Sequence, residues 1–211
     1  MPIEQASLGS SRVRILSVAR SEFAARGFAA ARLQDVAEQV GLSHPTLLYH
    51  FGSKEGLYVA VIEAAVGDWA QTTRQAISTG LRGFEQVAAL IDAAFEFFAT
   101  HQEFVMIVRR EAIEGGERLE GAMADHLRSF LESAVAFLER EVSAGRLCPH
   151  DPAELMQLCY GAVMTYFSDS TFRGRLLDED PLSPRARDRY RDALAATLRA
   201  ALEPAGFPAP R

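Results

Sequence analysis

Arg32 to Lys54 reads RLQDVAEQVGLSHPTLLYHFGSK, and this stretch decides the fold. Val36, Ala37 and Val40 give one short helix an apolar stripe, and Leu47 and Phe51 give a second helix another. Gly41 lies between them and suits a left-handed turn that ends the first helix. Ser43 can cap the second helix, and Pro45 fits its first turn, where a missing N–H costs little. The positions left facing outward are His44, Thr46, Tyr49 and His50, all able to hydrogen-bond. Lys54, the only lysine of the chain, comes soon after. A helix-turn-helix that points polar side chains away from its own core is built to enter the major groove of DNA.

The 211 residues suffice for one large domain or two small ones, and 48% hydrophobic with 24% charged residues is an ordinary soluble balance. The net charge of −6 argues against a general nucleic-acid binder, but it is unevenly spread. Residues 1–54 hold six cations and four carboxylates, a balance of +2, so the remainder carries −8. A mildly basic head on an acidic body can offer one face to phosphates while the body repels them. No basic flank precedes an apolar run at the N-terminus, and no stretch approaches ~18 apolar residues, so neither a signal peptide nor a membrane span is expected. A cytoplasmic protein is therefore expected. Cys148 and Cys159 suit reduced thiols, with a disulfide the lesser alternative, and their spacing is no metal motif.

Glycine and proline are sparse outside a few breaks, and no alternating β-branched run occurs, so the chain reads as all-α with about nine helices. Residues 1–10 read as a loose arm. A first helix is expected over 11–26, with Ile15, Ala19 and Phe23 on one face and a stop at Gly27. Short helices near 33–40 and 44–50 form the helix-turn-helix, and a fourth helix runs from Ser53, a plausible N-cap, to about Thr79. Further helices are expected over 84–100, 103–113, 118–143, 152–172 and 185–202, with a mobile tail from Pro204. Leu119, Met123, Leu127, Phe130, Leu131, Ala134, Phe137 and Leu138 form the inward stripe of the long one.

The helix-turn-helix resembles the tetracycline-repressor-like (TetR) family of bacterial transcription regulators. The residues that carry the likeness are Ile15-Leu16, Ala19, Phe23, Gly27-Phe28, Val36-Ala37, Gly41-Leu42-Ser43, Leu47, His50-Phe51, Ser53-Lys54-Glu55 and Leu57. The resemblance implies a helix-turn-helix DNA-binding domain over 9–69, with its motif at 32–51, and a ligand-binding and dimerisation domain over 70–211. It places Arg32, Gln34, Ser43, His44, Pro45, Thr46, Tyr49 and His50 at the DNA, with Lys54 on a phosphate. Arg12 or Arg14 would reach further phosphates. Two positions depart from the family pattern. Ala31-Arg32 stands where a hydroxyl usually caps the second helix, and Leu48 stands where a phosphate-binding Tyr is usual. Leu48 can instead touch a thymine methyl or pack against the first helix.

Leu155–Ser168 carries no charge, and a helix apolar nearly all round belongs in a core or an interface. By resemblance the last two helices build a homodimer interface, here through Leu158, Ala162, Thr165, Tyr166, Tyr190, Leu194, Leu198 and Ala201. Phe95, Phe98, Phe104 and Met123 either line an effector pocket or are plain core. The same two readings hold for Phe130, Phe137, Tyr160, Met164 and Phe167. Trp69 is core or a hinge contact. Glu111 and Glu114 read as a solvated face, and His101, His126 and His150 as surface or capping residues. No catalytic constellation, metal motif or cofactor loop stands out. The chain therefore reads as a homodimeric regulator, a repressor released from a palindromic DNA operator by a small apolar or aromatic effector. A helical small-molecule binder without specific DNA recognition is the competing reading.

Overall fold

Alanine, leucine and glutamate dominate between the glycine breaks, and such segments form helices. The computed structural model describes residues 2–204, and the side chains of 11–121, 123, 124 and 128–204. Among these, helices α1 (Pro2–Ala30), α2 (Leu33–Val40), α3 (His44–Phe51), α4 (Lys54–Ile77) and α5 (Gly83–Thr100) come first. Then come α6 (Gln102–Glu114), α7 (Glu117–Ser143), α8 (Pro152–Ser168), α9 (Ser170–Leu177) and α10 (Pro184–Leu202). The described residues contain no strand, and no helix among them is long and apolar enough to cross a membrane.

Local chemistry sets the helix ends. Asp151 accepts the N–H groups of Ala153 and Glu154 at 2.9 and 3.1 Å, with Pro152 opening α8. Ser183 and Pro184 do the same for α10. Two expectations need correction. The arm at 1–10 is helical from Pro2, since proline suits a first turn and no second proline interrupts the helix. The stop expected at Gly27 is present, since its φ 74°, ψ 169° is non-helical and separates two helical segments within α1. The helix expected over 152–172 breaks at Asp169, and α9 is a separate element. Ser168 donates to the Asp169 carboxylate at 2.7 Å there, and Ser-Asp-Ser side chains favour caps over a helix interior. The tail expectation falls on 205–211, outside the described residues, as do the side chains of His126 and Leu127.

The chain divides into two compact units. One takes residues up to Gly67 together with Glu103–Ala124, and the other takes Asp68–Gln102 with the residues from Asp125 onward. In the first, α1 packs on α2 and α2 on α3, and Ile15, Ala19, Phe23, Val36, Ala37, Val40 and Leu47 are buried. In the second, α5 packs on α8 and α10, with Phe84, Ile91, Phe95, Met164, Phe167 and Leu202 buried. Of the described stripe on α7, only Leu138 is buried, and the rest is half-buried.

Glu141, 2% exposed, organises one end of the second unit. Arg146 donates to it at 3.1 Å, and the Gly83 N–H that opens α5 donates at 2.8 Å. The Arg146 hydrogen bonds hold its carboxyl down, from an ordinary 4.5 to about 2, against a burial that alone would raise it. A depressed folded-state value adds stability above pH 4.5 that is lost as pH falls toward 2. Glu141→Gln is therefore expected to lower the melting temperature at pH 7. The gap to the native protein should close between pH 4.5 and about pH 2 in circular-dichroism melts. A gap that stays constant down to pH 2 refutes this role.

Candidate nucleic-acid interface

The turn between α2 and α3 is a backbone device. Gly41 takes the left-handed conformation, φ 73° and ψ 30°. Its N–H bonds Glu38 O at 3.1 Å, and the Leu42 N–H bonds Ala37 O at 2.9 Å, which is the Schellman pattern. The Arg14 guanidinium donates to Val40 O at the same helix end, where a cation also complements the helix dipole. Ser43 then starts α3, its Oγ accepting the Thr46 N–H at 3.2 Å.

Eight residues form α3, and Leu47 is its one buried side chain. His44, Pro45, Tyr49 and His50 are exposed, Tyr49 at 87%. Its ring stands edge-on to His50 with centroids 5.8 Å apart. Thr46 is less free than its position implies, because its hydroxyl shares a 2.7 Å hydrogen bond with Ser43 Oγ. Leu48 is half-buried. The outward face of α3 thus combines a phenol and two imidazoles and carries no carboxylate.

Several acids of this unit already have partners. Arg26 pairs with Glu22 and Asp35, both at 3.1 Å, Arg20 pairs with Glu103 at 2.8 Å, and Gln34 donates to Glu38 at 3.1 Å. Arg12, Arg14, Arg32 and Lys54 form no ion pair among the described residues. Arg12 lies over the Phe51 ring at 4.9 Å. Arg32 is exposed at the extended position before α2, with no side-chain cap there, as the absent hydroxyl implies. Lys54 is half-buried at the start of α4, donating to Ala29 O at 3.1 Å and lying 4.9 Å from the Phe28 ring centroid. That hydrogen bond uses one of the three ammonium donors.

The other expected sites separate. Phe104 and Met123 belong to the first unit, and the remaining pocket candidates to the second. There Phe167 meets Phe95 and Phe98 at 5.6 and 6.3 Å, and Trp69 meets Phe98 and Phe130 at 5.3 and 6.4 Å. Met164 is buried, Phe137 lies under Arg140 at 5.5 Å, and Tyr160 is 41% exposed. Phe97 joins this cluster through Trp69 at 5.2 Å, and its phase on α5 beside Phe98 was the signal for it. Of the dimer candidates, Leu158, Thr165 and Ala201 are exposed, and Ala162, Tyr190 and Leu194 are half-buried. Tyr166 and Leu198 are buried by their own chain, at 3% and 8%, with the Tyr166 hydroxyl bonded to Pro181 O. Glu114 is exposed as expected, but Glu111 is not: it is 1% exposed and accepts from Tyr58 and Arg118. His101 caps α5, stacked on Phe97 at 4.0 Å. Both cysteines are free, and burial pushes the Cys159 thiol up, away from thiolate chemistry.

Residues 15–61 match the family model described as bacterial regulatory proteins, tetR family, and residues 84–198 match the tetracyclin repressor-like C-terminal domain. The HTH-type transcriptional regulator RutR of Escherichia coli K12 is 26% identical over 160 residues, covering 76% of this chain and 75% of RutR. Two solved structures share the fold. The ketosteroid transcriptional regulator KstR2 of Mycobacterium tuberculosis superposes with a TM-score of 0.71 at 21% identity, over 92% of this chain and 95% of that one. The regulator FadR of Bacillus subtilis, in complex with stearoyl-CoA, superposes at 0.69 with 16% identity, over 87% and 97%.

Neighbouring positions of α3 should behave oppositely. Leu47→Ala is expected to cost roughly 2–5 kcal/mol of folding stability, whereas Tyr49→Ala stays within about 0.5 kcal/mol of the native protein. Urea titrations of both variants check this, and a large loss at Tyr49 would place that ring in the core.

Proposed function

The chain belongs to the tetR family of bacterial regulatory proteins and is a DNA-binding transcription regulator, not an enzyme; from that premise we propose that it is a homodimeric repressor. The observation that carries the proposal is the exposed, carboxylate-free face of α3, with Tyr49, His44 and His50 outward. Two such helices about 34–36 Å apart in a dimer would read the half-sites of a palindromic operator. In this reading Tyr49, His44, His50 and Thr46 meet base edges, with Pro45 against the groove wall. Arg32, Gln34, Ser43 and Lys54 hold the phosphates that fix the register. Binding to the operator puts the protein in the cytoplasm.

The effector is of the apolar or aromatic class. Support comes from the second unit, where Phe95, Phe98, Phe130, Phe167 and Trp69 form a run of adjoining rings. FadR holds stearoyl-CoA, whose acyl chain is apolar although its CoA part is charged, and KstR2 is described as a ketosteroid regulator; both properties belong to those proteins. The operator is released when the effector alters α4 and hence the spacing of the two reading heads. A coupling of ~1–3 kcal/mol suffices for a 5–150-fold loss of affinity.

The dimer reading draws on apolar side chains that the chain leaves uncovered. Leu158 of α8 is 68% exposed, and Ala162, Thr165, Tyr190, Leu194 and Ala201 share the accessible surface of α8 and α10. Leu158→Glu should convert a dimer to a monomer in sedimentation equilibrium with little change in melting temperature. An unchanged mass for the variant counts against that face.

Titration of the gene's own upstream DNA tests the whole reading. Lys54→Ala should weaken binding to every sequence and lower the slope of log affinity against log salt by about one. Tyr49→Ala and Thr46→Ala should instead change which bases are preferred, by roughly 1–3 kcal/mol at one position. Absence of any protected palindrome at moderate salt sinks the repressor reading.

A further inference from the structure

Glu111 is an unusual residue to find buried. It is 1% exposed, and its Oε1 accepts the Tyr58 hydroxyl at 2.9 Å and an Arg118 N–H at 3.0 Å. Its Oε2 has no partner among the described residues. A buried carboxylate with one oxygen unsatisfied costs stability, and a buried ion pair is poor evidence of a stabilising role. Burial, with this carboxylate beside it, pushes the Tyr58 phenol above its ordinary value, so Tyr58 stays a proton donor to Glu111.

The carboxylate holds Arg118, and Arg118 holds Phe28. The guanidinium lies 4.2 Å from the Phe28 ring centroid, and the Lys54 ammonium lies 4.9 Å from the same centroid. Phe28 also stands edge-on to Tyr58 at 5.0 Å. It sits in the short turn after the Gly27 kink, and the next residue, Ala29, gives the carbonyl that receives Lys54. One ring is therefore shared by two cations, one at the start of α7 and the other at the start of α4. The same turn is tethered again by Arg110, which donates to Ala25 O at 3.2 Å and leaves 3.2 Å for any Cβ at Gly27.

We propose that Glu111 is a positioning residue for DNA binding, which acts by holding Arg118 on Phe28 and so setting where the Lys54 ammonium stands at the mouth of α4. Arg118 confines the ring, the ring and Ala29 confine the ammonium, and an ammonium already confined loses less freedom when it meets a phosphate. Displacing α6 or the start of α7 would break the chain of contacts at Glu111 and slacken Lys54 without touching α3. The proposal rests on the reading of Lys54 as a phosphate contact, and its test separates the two.

The experiment is fluorescence-anisotropy titration of a labelled fragment of the gene's own upstream DNA, over a series of salt concentrations, with melting temperatures in parallel. Glu111→Gln and Arg118→Ala are each made in the native and in the Lys54→Ala background. Arg118 is 39% exposed, so its variant keeps the test alive if Glu111→Gln fails to fold. In the native background either substitution should weaken DNA binding roughly three- to tenfold. In the Lys54→Ala background the same substitution should change affinity less than about twofold, while the fall in melting temperature is the same in both. An equal loss of affinity in both backgrounds overturns the proposal and leaves Glu111 a purely structural group. If Lys54→Ala alone changes neither affinity nor salt slope, the phosphate reading fails, and this inference fails with it.

Discussion

An eight-residue helix with one buried side chain has no means of holding itself together, because nucleation is costly and isolated helices of that length are marginal in water. Yet the proposed reading requires α3 to present Tyr49, His44 and His50 in one register. Leu47 secures the inner side of the helix, and everything else that fixes it comes from outside. The left-handed Gly41 sets its entry angle, Ser43 satisfies the Thr46 N–H in its first turn, and Arg14 holds the end of α2 that leads into it. Arg12 lies over Phe51 at its far end. The first unit is in this sense a mount for one short helix.

Electrostatics show the same division. A chain of net charge −6 would be repelled by DNA if its acids were spread evenly. In the first unit Glu22, Asp35 and Glu103 are occupied by Arg26 and Arg20, and Glu111 by Arg118. Arg12, Arg14, Arg32 and Lys54 are left without acidic partners among the described residues. The second unit uses its acids differently: Glu141 ties Arg146 to the start of α5, and Glu85 and Glu203 take Arg199, which also covers Phe84 at 4.3 Å. Those pairs consolidate helix ends rather than clearing a surface.

Much of this was legible in the chain because its causes are local. Gly41, Ser43, Pro45, Asp151-Pro152 and Ser183-Pro184 each act within one turn of the helix they start or stop, so their spacing along the chain is their spacing in space. The break at Asp169 escapes a reading by periodicity although its cause is also local, because hydropathy keeps its helical period through Ser-Asp-Ser and masks the capping chemistry. Exposure of Tyr49 accords with its phase opposite Leu47. The hydrogen bond that removes part of Thr46's freedom left no such trace, since it depends on the rotamer of Ser43.

The sequence by itself determined that the chain is helical, where α3 begins and ends, and which family's DNA-binding head it carries. Periodicity and capping are properties of contiguous residues, and no distant contact is needed to establish them. Only the tertiary structure decided that Glu111 and Glu114, three residues apart on α6, have opposite environments. Glu114 faces water, while Glu111 is held by Tyr58, 53 residues earlier, and by Arg118 across the next turn. It decided likewise that Tyr166 and Leu198 are spent on their own chain, and that Glu103–Ala124 belongs with the helix-turn-helix rather than with its neighbours in sequence. Burial of a charge is settled by partners, and partners far apart along the chain leave no local pattern to read.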